Sequence, residues 1–223
     1  MRVGVSAQAK RASHNRYFAV DFIYLASHSP RRRQLLEQLG VRLELLLPDD
    51  ADAAEALEQV HGSEAPGRYV RRVTRLKLDA AVRLLAHKGL PPAPVLCSDT
   101  TVALGSDILG KPHDAADAAR MLRQLSGGTH RVLTAVAVQQ GEQRHEALST
   151  SHVRFAQLTD ADVSAYVASG EWQGKAGAYG IQGLAAAYVE HISGSYSGIM
   201  GLPLHETALL LRRVGAWRTG RSE

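Results

Sequence analysis

Apolar residues along this chain switch repeatedly between the short runs of buried strands and the three-and-four spacing of amphipathic helices. A chain that does so throughout is held to an α/β architecture. Ile23 to Ala26 reads as a buried strand, and Pro30 to Leu39, with Leu35, Leu36 and Leu39 on one face and Gly40 as a stop, reads as a helix. Val41 to Leu47 returns to a strand before the acidic stretch of Asp49, Asp50 and Asp52. Tyr69 to Ala86 is helical on the spacing of Val70, Val73, Leu76, Ala80 and Leu84, and Val95 to Cys97 is a short strand. Gly105 and Ser106 predict a hairpin turn, Asp114 to Leu125 a helix, and Arg131 to Gln139 with Leu148 to Phe155 two strands joined around Gly141. Thr159 caps a helix reaching Ala168, and a glycine-rich region from Gly170 to Gly201 precedes a last helix from Pro203 to Val214.

At 223 residues the chain is long enough for one large domain or two associated lobes. Only 5% of its residues are aromatic, so the core is built from Leu, Val and Ala, and the stacking platforms of single-stranded nucleic-acid binders are poorly supported. The formal charge of +4 and the pI near 9.4 do not change that reading. Arg2, Lys10, Arg11 and Arg16 carry the whole excess, and the balanced remainder argues against a nucleic-acid-binding face. The single cysteine, Cys97, excludes an internal disulfide and favours a reducing compartment; as a buried small hydrophobe it is a poor nucleophile. No apolar run has the length of a membrane span and the first 20 residues lack the apolar core of a secretory signal, so a cytoplasmic location is the expectation.

The chemistry concentrates in four places. In Leu25 to Arg33, LASHSPRRR, a strand end runs through a hydroxyl-rich turn into a helix started by Pro30, with Ser29 as its cap. Free N–H groups at the helix start, the hydroxyls of Ser27 and Ser29 and the guanidinium groups of Arg31 and Arg32 form an anion grip suited to phosphate. A capped surface helix with solvated arginines is the plain alternative, and Arg33 is expected to face solvent. Directly after the Val95 to Cys97 strand stands Asp99 of CSDTT, which can orient water, accept a proton, ligate a hard cation or simply cap a turn. Lys111 is aimed by the bend of Leu109-Gly110-Lys111-Pro112, and no GxxxxGK[ST] loop occurs, which disfavours the P-loop NTPases. Finally GKAGAYGIQG, from Gly174, places four glycines in ten residues beside Lys175 and Gln182, an amide able to read a base edge. The histidines, His28, His113 and His130 among them, show no metal-binding spacing.

Taken in order, LASHSPRR, SDTTV, ILGKP, LSGGTHRV, KAGAYGIQG and GSYSGIMGLPLHET resemble the Maf family of nucleoside triphosphate pyrophosphatases, from about Ile23 to Leu211. The resemblance implies an α/β fold with a mixed twisted sheet flanked by helices and two lobes around a deep cleft, similar to inosine triphosphatase. The domain would span residues 22–214, between a basic extension, 1–21, and a tail, 215–223. It implies hydrolysis between the α- and β-phosphates with a divalent cation, Mg²⁺ or Mn²⁺, and makes Asp99 the proton acceptor. Arg31, Thr100 and Gln182 fall on positions associated with substrate choice, while Ser27, Arg32, Lys77, Lys111 and Lys175 would hold the phosphates. KAGAYGIQG resembles the branch acting on dTTP and UTP, with CTP and modified pyrimidine nucleotides as further candidates. The branch acting on 7-methyl-GTP is the alternative, and a non-catalytic regulator of septum formation the alternative of another class. Where the family often carries DIDE this chain has DDADAAE, so the metal ligands stay unassigned among Asp50, Asp52 and Glu55; Gly174 replaces the aspartate common before KAGAY. No nucleic-acid or membrane partner is expected, and a homodimer is compatible with the family.

Overall fold

A computed structural model describes residues 22–48 and 56–217; the basic extension, the acidic residues Asp50, Asp52 and Glu55, and the end of the tail lie outside the described residues. Among the described residues, seven strands form one mixed sheet: β1 (Ile23–Leu25), β2 (Leu43–Leu45), β3 (Val95–Leu104), β4 (Asp107–Leu109), β5 (Thr129–Gln140), β6 (Gln143–Phe155) and β7 (Val189–Ser193). Their order is β2-β1-β3-β5-β6-β7, with β4 also on β3; β1 runs parallel to β2 and β3, and the other pairings are antiparallel.

Helix α1 (Pro30–Gln38) follows β1, and the long α2 (Pro66–His87) precedes β3. Helices α3 (Ala115–Leu125), α4 (Asp160–Ala168), α5 (Tyr196–Met200) and α6 (Leu204–Arg213) complete the layers. Strand β1 is buried on both faces, as a continuous apolar run requires: Ile23 and Leu25 join the core under α1 and α6, while Tyr24 joins the core under α2. The period of two in β3 and β5 does the same on a larger scale. Val95, Cys97, Leu133, Ala135 and Ala137 meet α2, and Leu96, Val136 and Val138 meet α6. A separate core of Met121, Leu122, Leu125, Phe155, Val163, Tyr166 and Tyr179 builds the second lobe around α3 and α4.

Both hairpins turn on glycine. Leu104 pairs with Asp107 and Gln140 with Gln143, leaving two-residue loops whose first members, Gly105 and Gly141, have φ of +59° and +57°. The helix boundaries at Pro30, Asp114 and Thr159 fall where the sequence sets them, with Ser29, Asp114 and Thr159 each accepting a backbone N–H as cap. Strand β3 departs from expectation: it does not stop at Cys97 but continues to Leu104, so Asp99 lies inside the strand rather than beyond its end. The reason is that β5 pairs with it continuously from Val95 to Ala103, which carries the polar Ser98-Asp99-Thr100-Thr101 run in extended form. On its other side β3 meets β1 only as far as Leu96 and β4 only from Val102. Between those limits the sheet has a notch, and the cleft opens there.

Candidate active site

A cavity of about 1060 Å³ fills that notch, between the two lobes. Ser27, Arg31, Arg32, Lys77, Asp99, Thr100, Lys111, Lys175 and Gln182, drawn from segments scattered over 156 residues of sequence, all line it. How they are held differs sharply from one to the next.

On the α2 side, Lys77 falls in the apolar stripe of its helix, four residues after Val73 and four before Ala81, both buried. There its ammonium donates to Asp99 Oδ1 and to Glu58 Oε1, both at 2.6 Å, and Lys111 reaches Glu58 Oε2 at 2.8 Å. The side chains of Lys77 and Asp99 are only 18% and 9% exposed, so water screens this pair poorly, whereas Lys111 at the outer end of the chain is exposed. Burial alone pushes the Glu58 carboxyl upward, but Lys77 and Lys111 outweigh it and hold the group below its ordinary value. Sequence reasoning passed over Glu58: it stands in no motif, and its lysine partners come from distant elements. Lys77 did leave a signal, a charge at a core-facing helix position.

Because side chains alternate along a strand, Thr100 points to the opposite face of β3 from Asp99. Its Oγ1 shares a hydrogen bond with Thr134 Oγ1 at 2.9 Å and accepts from Arg32 Nη2 at 3.4 Å. The anion turn of the sequence is formed, with Ser29 Oγ accepting from Arg32 N, but its arginines divide. Arg32 is half-buried and committed to the protein: Nε donates to the Gly201 carbonyl at 2.8 Å and Nη1 to Ser27 Oγ at 3.1 Å. Ser98 Oγ donates to the carbonyls of Ala135 and Gly201, and Thr134 Oγ1 to that of Gly198, so the segment around α5 is tied down from several sides. Among the described residues Arg31 makes one bond, from Nε to the Met200 carbonyl at 3.3 Å, and Arg33 turns outward to Glu37.

Lys175 lies across the cleft and donates to the Glu171 carbonyl. Burial and then the charge of Arg31 lower its pKa, with Glu171 opposing; burial likewise lowers that of Arg31. Two partly desolvated cations that repel one another define a place for an anion. Cys97 is fully buried and its thiol is pushed up to about 12 by burial, which keeps it inert at neutral pH.

The glycine-rich loop is shaped by close contact. Gly177 and Ala178 both adopt left-handed backbone, φ +68° and +64°, and the Gly177 N–H donates to the Gly110 carbonyl, joining this loop to the one bearing Lys111. A methyl group on Gly177 would stand 2.9 Å from Cβ and both methyl carbons of Val102. Gly177→Ala is therefore expected to cost about 2–4 kcal/mol of stability, measured by urea unfolding, since overpacking and left-handed strain add. A loss below half a kcal/mol would show that the loop yields.

Among the described residues no three His, Cys, Asp or Glu side chains converge as a metal site. No helix there is long and apolar enough to cross a membrane. Fold and cavity together define an α/β protein whose cleft gathers several cationic side chains around one buried carboxylate. The chain belongs to the Maf-like protein family, which it matches over residues 22–214. It is 69% identical over 197 residues to a dTTP/UTP pyrophosphatase of Polaromonas sp. strain JS666, covering 88% of this chain and 98% of that one. Proteins of the same name from Albidiferax ferrireducens and Ralstonia nicotianae are 63% and 65% identical, over 87% and 86% of this chain and 98% and 93% of theirs. The Staphylococcus aureus Ham1 protein aligns in structure with a TM-score of 0.40 at 13% identity, over 60% of this chain and 71% of that chain, too distant to argue from.

Proposed function

We propose that this protein hydrolyses dTTP and UTP between the α- and β-phosphates, releasing the nucleoside monophosphate and pyrophosphate. The observation that carries the reading is the Lys111–Glu58–Lys77–Asp99 chain, running inward from exposed Lys111 to buried Asp99 on one wall of a cavity whose other walls present Arg31, Lys175 and Gln182. The names of its 59–69% identical relatives supply the choice of pyrimidine nucleotides over 7-methyl-GTP. A non-catalytic regulator would have no use for a carboxylate held among lysines at the floor of the cleft.

In this reading Asp99 is the proton acceptor. Its Oδ1 is occupied by Lys77, and the hydrogen bonds among the described residues leave Oδ2 open to a water. That water forms the new bond to the α-phosphorus and passes its proton to Asp99, while the bond from the α-phosphorus to the bridging oxygen breaks and its electron pair leaves with pyrophosphate. Arg31, Lys111 and Lys175 neutralise the triphosphate's charge in substrate and transition state alike, with Lys77 holding the base in place. Arg32 and Ser27 shape the turn under the phosphates, and Gln182 offers an amide to the base edge. The hard oxygens of Asp99 and Glu58 suit Mg²⁺ or Mn²⁺, which binds through one or two carboxylates together with substrate phosphates. Such a cation would neutralise the triphosphate and polarise the attacked phosphoryl group. A reducing, cytoplasmic setting fits both nucleotide substrates and the lone cysteine.

Pyrophosphate release measured side by side on dTTP, UTP, CTP and 7-methyl-GTP, with and without a chelator, tests the reading. Turnover of dTTP and UTP that the chelator abolishes is expected. Preference for 7-methyl-GTP would overturn the base assignment, and undiminished turnover in chelator the cation.

A further inference from the structure

His130 stands on β5 with its side chain buried, and it does not line the cavity. Its Nε2 lies 2.7 Å from the hydroxyl of Tyr179, while Nδ1 has no hydrogen-bond partner among the described residues. Around this bond three rings lock edge to face. His130 and Tyr179 have centroids 5.4 Å apart, His130 and Phe155 5.1 Å, and Phe155 and Tyr179 4.9 Å, at interplanar angles of 83°, 88° and 69°. A buried imidazole with one polar partner has that partner as its reason to be there, since apolar residues would fill the space without the desolvation cost. Burial also drops its pKa to about 4, so the ring is neutral and the bond persists at neutral pH.

Tyr179 belongs to the glycine-rich loop and lines the cavity from within the second lobe. It follows the two left-handed residues Gly177 and Ala178 and precedes Gly180, whose N–H donates to the Tyr166 hydroxyl at 3.3 Å. Gly180 is the shelf on which the cleft-facing groups of this loop converge. A methyl group there would meet Lys175 Cε at 2.9 Å and Gln182 Nε2 at 3.3 Å. The residue that fixes Tyr179 therefore fixes the backbone beneath both Lys175 and Gln182.

We propose that His130 and Tyr179 form a buried latch that positions Lys175 and Gln182, making His130 a positioning residue for nucleotide binding from outside the cavity. The latch holds the binding side of the cleft and leaves Asp99 and Lys77, on another lobe, untouched. Its signature is thus a change in KM and base preference at preserved kcat. The inference rests on the nucleotide reading above, and the test separates the two.

Steady-state kinetics on dTTP and CTP are measured for the wild type, Tyr179→Phe, His130→Leu, the double variant and His130→Gln, with melting temperatures recorded alongside. Tyr179→Phe keeps all three rings and removes one hydroxyl, so it remains informative if His130→Leu fails to fold. KM for dTTP is expected to rise about tenfold in Tyr179→Phe and in His130→Leu, with kcat within about twofold and a narrower dTTP-over-CTP preference. The double variant should be no worse than the worse single, and His130→Gln, which keeps an amide to meet the hydroxyl, should recover most of the loss. Unchanged KM in folded Tyr179→Phe overturns the latch, whatever happens to the melting temperature. A wild-type protein that turns over neither dTTP nor UTP overturns the underlying functional reading instead.

Discussion

Asp99→Asn is expected to lower kcat on dTTP by about a thousandfold or more while leaving the fold intact, because a positioned base and the field around it contribute on that scale. The substitution is isosteric, Lys77 keeps its second partner in Glu58, and β3 keeps its pairing with β5, so the melting temperature should move by a few degrees at most. What changes is the ability to take a proton. An amide at this position can still orient water but has no lone pair basic enough to accept from it. Single-turnover measurement of pyrophosphate release isolates the chemical step, and activity within tenfold of wild type would remove Asp99 from the role of base.

Lys77→Met should be nearly as severe, with kcat/KM down by about a hundredfold or more. Lys77 is the cation common to two carboxylates, and methionine fills its place in the α2 stripe without a charge. Removing it leaves Glu58 with burial pushing its pKa up and only Lys111 pulling it down. A carboxylate whose folded pKa is depressed adds stability above its unfolded pKa and loses it as pH falls through the folded value. In Lys77→Met that contribution shrinks, so the variant should also lose its stability at a higher pH than wild type on acidification. Near-normal kcat/KM, with acid unfolding at the wild-type pH, would show that the site does not depend on the shared ammonium.

Much of the scaffold was legible because it follows local rules. Pro30, Asp114 and Thr159 start helices for reasons internal to each segment, and Gly105 and Gly141 close hairpins for reasons internal to each turn. The polar run Ser98 to Thr101 misleads on local grounds, since nothing in it marks a strand interior; the ladder to β5 decides the matter across sequence. Likewise β7 and α5 sit inside the glycine-rich third, where neither period two nor period 3.6 is sustained and contacts such as Gly194 against Ser151 set the path. At the site, residue types with obvious chemistry were visible, and they meet in one cavity. Their division of labour was not. Arg31 and Arg32 are neighbours of identical type, and what tells them apart is the set of partners the fold brings to Arg32: the carbonyl of Gly201, from the far end of the chain, with Ser27 and Thr100. Glu58 was invisible for the same reason.

The notch in the sheet has one more consequence. Leu96 gives its carbonyl to Ala26 on the β1 side, and the alternation of an antiparallel ladder turns the N–H and C=O groups of Ser98 and Thr100 the same way. An unpaired strand edge on a protein's outside is a template for unwanted association with other chains. Here the open edge is recessed and bounded by paired strands at both ends, so an intruding strand would find no length to zip along. A small, strongly hydrogen-bonding guest needs none, which lets the protein keep raw backbone at the bottom of its cleft without inviting aggregation.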